Sequence, residues 1–215
     1  MRVRAAAGGG RVVEVAPQRL AGWVERFTER HGGPAATRSA PDRVVVEAAD
    51  GATATLAVPF GGLPAGAEGL AGLLAHLAAD RRIGLVLVRL GGYSVGVARA
   101  GVVEVSATGA RPVHGRNRKG GSSSGRFARR RENQARVAID AAAETVARVL
   151  LPQRLDAVVL GGDAAALDAL RADRRLAPLL ARAEPRVLDV PEPRRAVLDE
   201  AARRALAVEV TVREP

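Results

Sequence analysis

The residues best suited to chemistry in this chain stand together between Arg111 and Arg131. The segment RPVHGRNRKGGSSSGRFARRR carries eight cations and no acidic residue, and it surrounds Gly120-Gly121-Ser122-Ser123-Ser124-Gly125. Glycine places no side chain between a backbone N–H and an incoming anion. Such a mobile loop can therefore bring free N–H groups against a phosphate or an oxyanion. Arg116, Arg118, Lys119, Arg126, Arg129, Arg130 and Arg131 would grip a phosphate backbone while the glycine tip reaches further. The same composition also fits a flexible Gly/Ser linker.

The charge distribution singles out the same place. The chain has 215 residues, 33 Lys plus Arg, 23 Asp plus Glu, and a net charge of +10. Without the eight cations of 111–131, 25 basic residues face 23 acidic ones, so the excess sits in about a tenth of the chain. Arginine makes up 32 of the 33 cations, and a compositional bias of that kind would spread evenly. A localised excess points to a polyanion partner, RNA or DNA.

Other chemistries find little support. There is no cysteine, which excludes zinc ribbons, thiol nucleophiles and disulfide scaffolds. His31, His76 and His114 are far apart and lack neighbours at ligand spacing, so no metal site is expected. No nucleophile elbow, Walker A loop or dinucleotide fingerprint is present. Gly161-Gly162-Asp163 follows an apolar run and reads as a strand-to-helix turn with Asp163 as N-cap, or as an anion site. Tyr93 and Trp23 read as packing residues. No apolar run approaches the ~20 residues of a membrane span. Met1 to Arg11 lacks the apolar core of a secretory signal. A soluble cytoplasmic protein is expected.

The elements that must position the basic loop follow from periodicity. Apolar residues make up 47% of the chain and aromatics 2%, so the core is aliphatic. Val12, Val13 and Val15 mark a short strand. Pro17 opens a helix with Leu20, Trp23, Val24 and Phe27 on one face, stopped at His31-Gly32-Gly33. A Pro/Ser-containing linker leads to RVVVEA and TATLAV, a hairpin through Asp50-Gly51. Pro59 to Gly66 is a loop, and Leu70, Leu73, Leu74 and Leu77 mark a second helix. Residues 1–66 thus read as a small N-terminal α+β unit.

Residues 67–215 read as a second domain. IGLVLVRL and YSVGVAR form a hairpin through Gly91-Gly92, VVEVSA follows, and the basic stretch then leads into a long helix ending near Leu150. That helix has an apolar stripe of Phe127, Ala135, Ala138, Ala142, Val146 and Val149, with Glu144 and Arg148 paired on the wet side. The strand DAVVL, two short Leu-containing helices, the strand RVLDV, a helix opened by Pro193 and the strand AVEVTV complete it. This order predicts an α/β fold: a three-layer domain with a mixed sheet and flanking helices.

The segment HGRNRKGGSSSGRFARRRENQA resembles the catalytic loop in the middle domain of eukaryotic and archaeal class-one peptide release factors. There a Gly-Gly-Gln loop leaves a strand and enters a long helix beginning Arg-Phe-Ala-Arg. Here Arg126-Phe127-Ala128-Arg129 stands at that offset from Gly120-Gly121. RIGLVLVRLGGYSVGVARAG is similar to the hairpin before the loop, and LDAVVLGGDAAAL to the strand and turn after the helix. The resemblance covers about residues 67 to 212 and is greatest to the Vms-like release factors of actinobacteria, peptidyl-tRNA hydrolases linked to ribosome rescue. It implies a release-factor-like domain, action on peptidyl-tRNA against the rRNA of the large ribosomal subunit, and no metal or organic cofactor. Nothing here resembles the family's codon-recognition domain.

One departure stands at the tip. Ser122 or Ser123 occupies the place of the glutamine that, in those families, sets a water against the ester carbonyl and lends its backbone N–H to the transition state. Serine keeps the backbone donor and a hydroxyl but reaches less far. Gln134, the only glutamine nearby, could substitute only if the helix began late. The expected catalytic residues are therefore Gly120, Gly121, Ser122 and Ser123, with Gln134 the alternative. The rival expectation is a non-catalytic RNA- or ribosome-binding protein; a weaker one is an interaction module for another polyanion.

Overall fold

The computed structural model describes the backbone of residues 2–89, 91–110 and 124–215, and their side chains except at 110 and 124–134. The chain divides into two compact units, Met1–Asp80 with Arg203–Pro215, and Arg81–Ala202. Both mix helices with a sheet, as the sequence predicts.

The first unit begins with β1 (Val3–Ala5), β2 (Arg11–Val15), α1 (Pro17–Arg30), β3 (Pro34–Ala40), β4 (Arg43–Ala48), β5 (Thr53–Ala57) and α2 (Gly69–Ala78). The second supplies β6 (Arg82–Arg89), β7 (Gly92–Arg99), β8 (Val102–Ala110), α3 (Ser124–Leu150), β9 (Ala157–Gly162), α4 (Ala164–Arg171), a 3-10 turn (Arg174–Leu176), α5 (Ala177–Leu180) and β10 (Ala183–Leu188). The division falls inside α6 (Arg195–Ala205), and β11 (Val208–Arg213) returns to the first unit.

In the first unit, six antiparallel strands lie in the order β1-β2-β11-β5-β4-β3. Leu20, Val24 and Phe27 of α1 and Leu73 and Leu77 of α2 pack on Val13, Val15, Val44, Val46, Leu56, Val208, Val210 and Val212. Four readings of the sequence are corrected here. The linker at 34–42 is mostly strand β3, and a short β1 precedes β2. The boundary lies at 80/81 rather than 66/67, because α2 shares this core. The closing strand belongs here as well, between β2 and β5. Arg204 adds a half-buried fork to Glu14, with N···O distances of 2.9 and 2.8 Å.

This arrangement predicts that residues 67–215 cannot stand as an intact domain. Val208, Val210 and Val212 are each at most 1% exposed. Exposing three valines would cost roughly 5–9 kcal/mol. Limited proteolysis of that fragment should cut within 67–80 and 206–213 while sparing the second unit's strands. Protection of 206–213 would refute this placement of the last strand.

The second unit's sheet is mixed, in the order β10-β9-β6-β7-β8, parallel through the first three and antiparallel thereafter. On one face, Val86, Val88, Val95, Val97, Val158 and Leu160 pack on Ala142, Val146, Val149 and Leu150 of α3 and on Leu167 and Leu170 of α4. On the other, a Cβ at Gly96 would meet Leu198 Cδ2 of α6 at 2.9 Å. Helices on both faces give the expected three layers. They also explain why Ile83 to Val88 is buried throughout instead of alternating. Glu144 pairs with Arg175 at 2.8 Å rather than with Arg148, an exposed contact worth little.

Gly161-Gly162 closes β9, and Gly162 has φ +117°. A Cβ there would overlap the Val88 carbonyl oxygen on the neighbouring strand. Gly162→Ala is expected to cost about 2–3 kcal/mol, lowering Tm by about 4–10 °C. A calorimetric shift under about 2 °C would show that the strand end relaxes freely.

Candidate functional site

In the chain, the basic segment lies between β8 and α3. β8 runs parallel to β6, and its last residue, Ala110, lies opposite Gly92 in the register with β7. The chain therefore leaves the sheet at the carboxyl ends of β6, β9 and β10, the edge where open α/β sheets place their ligand sites. It returns through α3, which starts at Ser124. Among the described side chains of α3 the first buried one is Ala138, and Leu150 reaches to within 3.4 Å of a Cβ built on Gly84 near the start of β6. The helix thus descends across the sheet from its carboxyl edge. The fourteen helical residues before Ala138, called the stalk below, span ~21 Å along the axis.

The sequence-derived site residues distribute over this region. Arg116, Arg118, Lys119, Gly120, Gly121, Ser122 and Ser123 lie outside the described residues, as does His114. Arg126, Arg129, Arg130 and Arg131 lie on the helical backbone of the stalk; 126, 129 and 130 share one face by their i, i+3, i+4 spacing. Gln134 is ten residues into α3, ~15 Å along the axis from Ser124.

Two features at the carboxyl edge went unread in the sequence. Asp163 does stand at the N-cap position of α4, yet its side chain makes no cap hydrogen bond. Its carboxylate instead lies 3.0 Å from Arg89 Nη2, while Arg89 Nη1 donates to the Val190 carbonyl at 2.7 Å. This pair ties the ends of β6 and β9 to the segment after β10. The second feature is Tyr93, which does more than pack: its hydroxyl is hydrogen-bonded to Thr145 of α3 at 3.1 Å. A signal was available in Gly109, the glycine opposite Tyr93 just before the basic stretch.

The described histidines are built into the first unit. His31 is buried at the end of α1, its Nδ1 2.8 Å from Asp50 Oδ2 and its ring against Phe27. The Ala52 backbone N–H, with His31 second, holds the Asp50 carboxyl below the usual carboxylate range. His76 Nε2 donates to the Pro59 carbonyl at 2.8 Å. Among the described residues no group of three or more His, Cys, Asp or Glu is placed to hold a metal ion, and no helix is long and apolar enough to cross a membrane.

No curated protein matches the chain significantly. The family described as Actinobacteria/chloroflexi VLRF1 release factor matches residues 81–211. That stretch opens at the first residue of the second unit, includes β8, α3 and the basic segment between them, and runs on into β11. It is somewhat shorter at its start than the 67–212 suggested by the sequence motifs. With more than half of its length matched, the chain belongs to the Actinobacteria/chloroflexi VLRF1 release factor family.

Proposed function

We propose that this protein is a peptidyl-tRNA hydrolase that acts on the large ribosomal subunit in ribosome rescue, in the cytoplasm. The observation that carries the reading is the family match over 81–211, which contains the Gly-Gly tip and the Arg126-Phe127-Ala128-Arg129 start of α3. In this mechanism the stalk arginines hold tRNA or rRNA phosphates and direct the tip to the ester joining peptide to tRNA. A water, placed by the loop, adds to the ester carbonyl. Backbone N–H groups at Gly121 to Ser123 donate to the developing oxyanion. The bond to the terminal ribose oxygen then breaks, and that oxygen leaves with the proton that the water gives up. The products are a deacylated tRNA and the free peptide acid, which gives the water's second proton to solvent and leaves as a carboxylate. No cofactor takes part.

The loop is preferred to Gln134 as the seat of this chemistry, since Gln134 sits about three helical turns behind the start of α3. The serines at the glutamine positions favour one alternative, a ribosome-binding protein without hydrolytic activity. Release of labelled peptide from peptidyl-tRNA on large subunits separates the two. Release above the rate without protein is expected; tight ribosome binding with no release would establish the alternative.

A further inference from the structure

We infer that Tyr93 is a positioning residue that sets the angle of the α3 stalk and thereby the place of its tip. The inference rests on the hydrolase reading for its effect on rate, but on geometry alone for its effect on the stalk. Tyr93 stands on β7, one rung from the sheet's carboxyl edge, opposite Gly109 of β8. A Cβ on Gly109 would overlap Tyr93 Cζ and Oη and lie 2.8 Å from Cε1, so the ring lies across the bare glycine backbone. Glycine at 109 is what lets the ring cross β8 at this level. Beyond it the Tyr93 hydroxyl meets Thr145 Oγ1 at 3.1 Å. Thr145 is buried, and its hydroxyl faces two acceptors, donating to the Ala141 carbonyl at 2.9 Å and to the Tyr93 hydroxyl oxygen at 3.1 Å, so its one proton is shared between its own helix and β7. One side chain therefore rests on the strand that leads out to the basic segment and bonds the helix that leads back.

This hydrogen bond lies at the base of a long lever. Ala138, the first buried position, is 14 residues from Ser124, ~21 Å along the helix, so a tilt of ~10° of the packed part of α3 moves the helix start by ~4 Å. Misplacement of reacting groups by about 1 Å can cost about 10²-fold in rate. The apolar packing of Ala138, Ala142 and Val146 holds the helix on the sheet but is short-ranged and non-directional. The hydrogen bond is directional, and it joins α3 to β7 one rung from the sheet's carboxyl edge.

Two readouts test this. In peptide release, Tyr93→Phe keeps the ring over Gly109 and removes the hydroxyl; kcat should fall at least about tenfold with KM for loaded subunits unchanged. Thr145→Val should do the same, and the double variant should lose no more than either alone. Gly109→Ala, which displaces the ring, should match them. Independently, the absence of cysteine makes a spin-label pair at Val102→Cys and Glu132→Cys unique, one label on β8 and one on the stalk. Its distance distribution should shift or broaden by several ångströms when Tyr93→Phe is added. An unchanged distribution overturns the inference whatever the release assay shows. If the wild type releases no peptide, the hydrolase reading fails and the label distances still decide the clamp.

Discussion

Gly121→Ala is expected to lower peptide release by about 10²–10³-fold while leaving affinity for the large subunit within about twofold of wild type. The magnitude is that of losing one preorganised oxyanion donor. A methyl group at the tip costs this much because the reaction needs backbone N–H groups within hydrogen-bonding distance of the ester, and a Cβ occupies the approach. Binding should persist, because it rests on phosphate pairing with arginines several residues away. The companion variant, Ser122→Ala with Ser123→Ala, divides the serine contribution. If the backbone alone supports the oxyanion, it stays within about threefold of wild type; if a hydroxyl holds the water, it loses about tenfold or more. A Gly121→Ala protein that releases peptide at the wild-type rate would remove the tip from the mechanism.

The parts of this picture that could be read from the sequence share a physical origin. The α1 and α2 faces, the hairpin through Asp50-Gly51 and the buried run of β6 are local patterns, in which the residues that face the core announce themselves by spacing. So is the concentration of arginine beside the glycine pair. β3 escaped notice because it is a sheet edge with Pro34, Thr37 and Ser39 largely exposed, and nothing in PAATRSA alternates. The partners of β11 were illegible for another reason. Its alternation says strand, but a strand's neighbours are set by the whole sheet, here β2 and β5 more than 150 positions earlier. The candidate site divides along the same line. The basic stretch, its glycine tip and the helix after it are sequence features; the Tyr93–Thr145 bond joins positions 52 residues apart and exists only once α3 lies across the sheet.

Replacing Arg129, Arg130 and Arg131 together with alanine is expected to weaken RNA or ribosome binding by about 10²-fold, at about 1 kcal/mol for each arginine–phosphate pair removed. The plot of log affinity against log salt should become shallower by about 2–3, since each neutralised phosphate contributes about 0.7–0.9 to that slope. The informative control removes the same charge elsewhere: Arg148, Arg171 and Arg194 are exposed on the body of the second unit, away from the stalk. If the protein were drawn to RNA by net charge alone, both triple variants would flatten the slope equally, because a diffuse field counts charges and ignores their position. The stalk geometry predicts otherwise. Arg129 to Arg131 occupy consecutive positions of α3 within the basic stretch, so on the proposed reading they carry the phosphate contacts and the body triple should leave the slope within about 0.5 of wild type. Equal slopes for the two triples would refute the stalk as the binding surface. Loss of binding confined to the stalk triple, with Gly121→Ala still bound but silent, would place phosphate grip and ester chemistry on adjoining stretches of the basic segment.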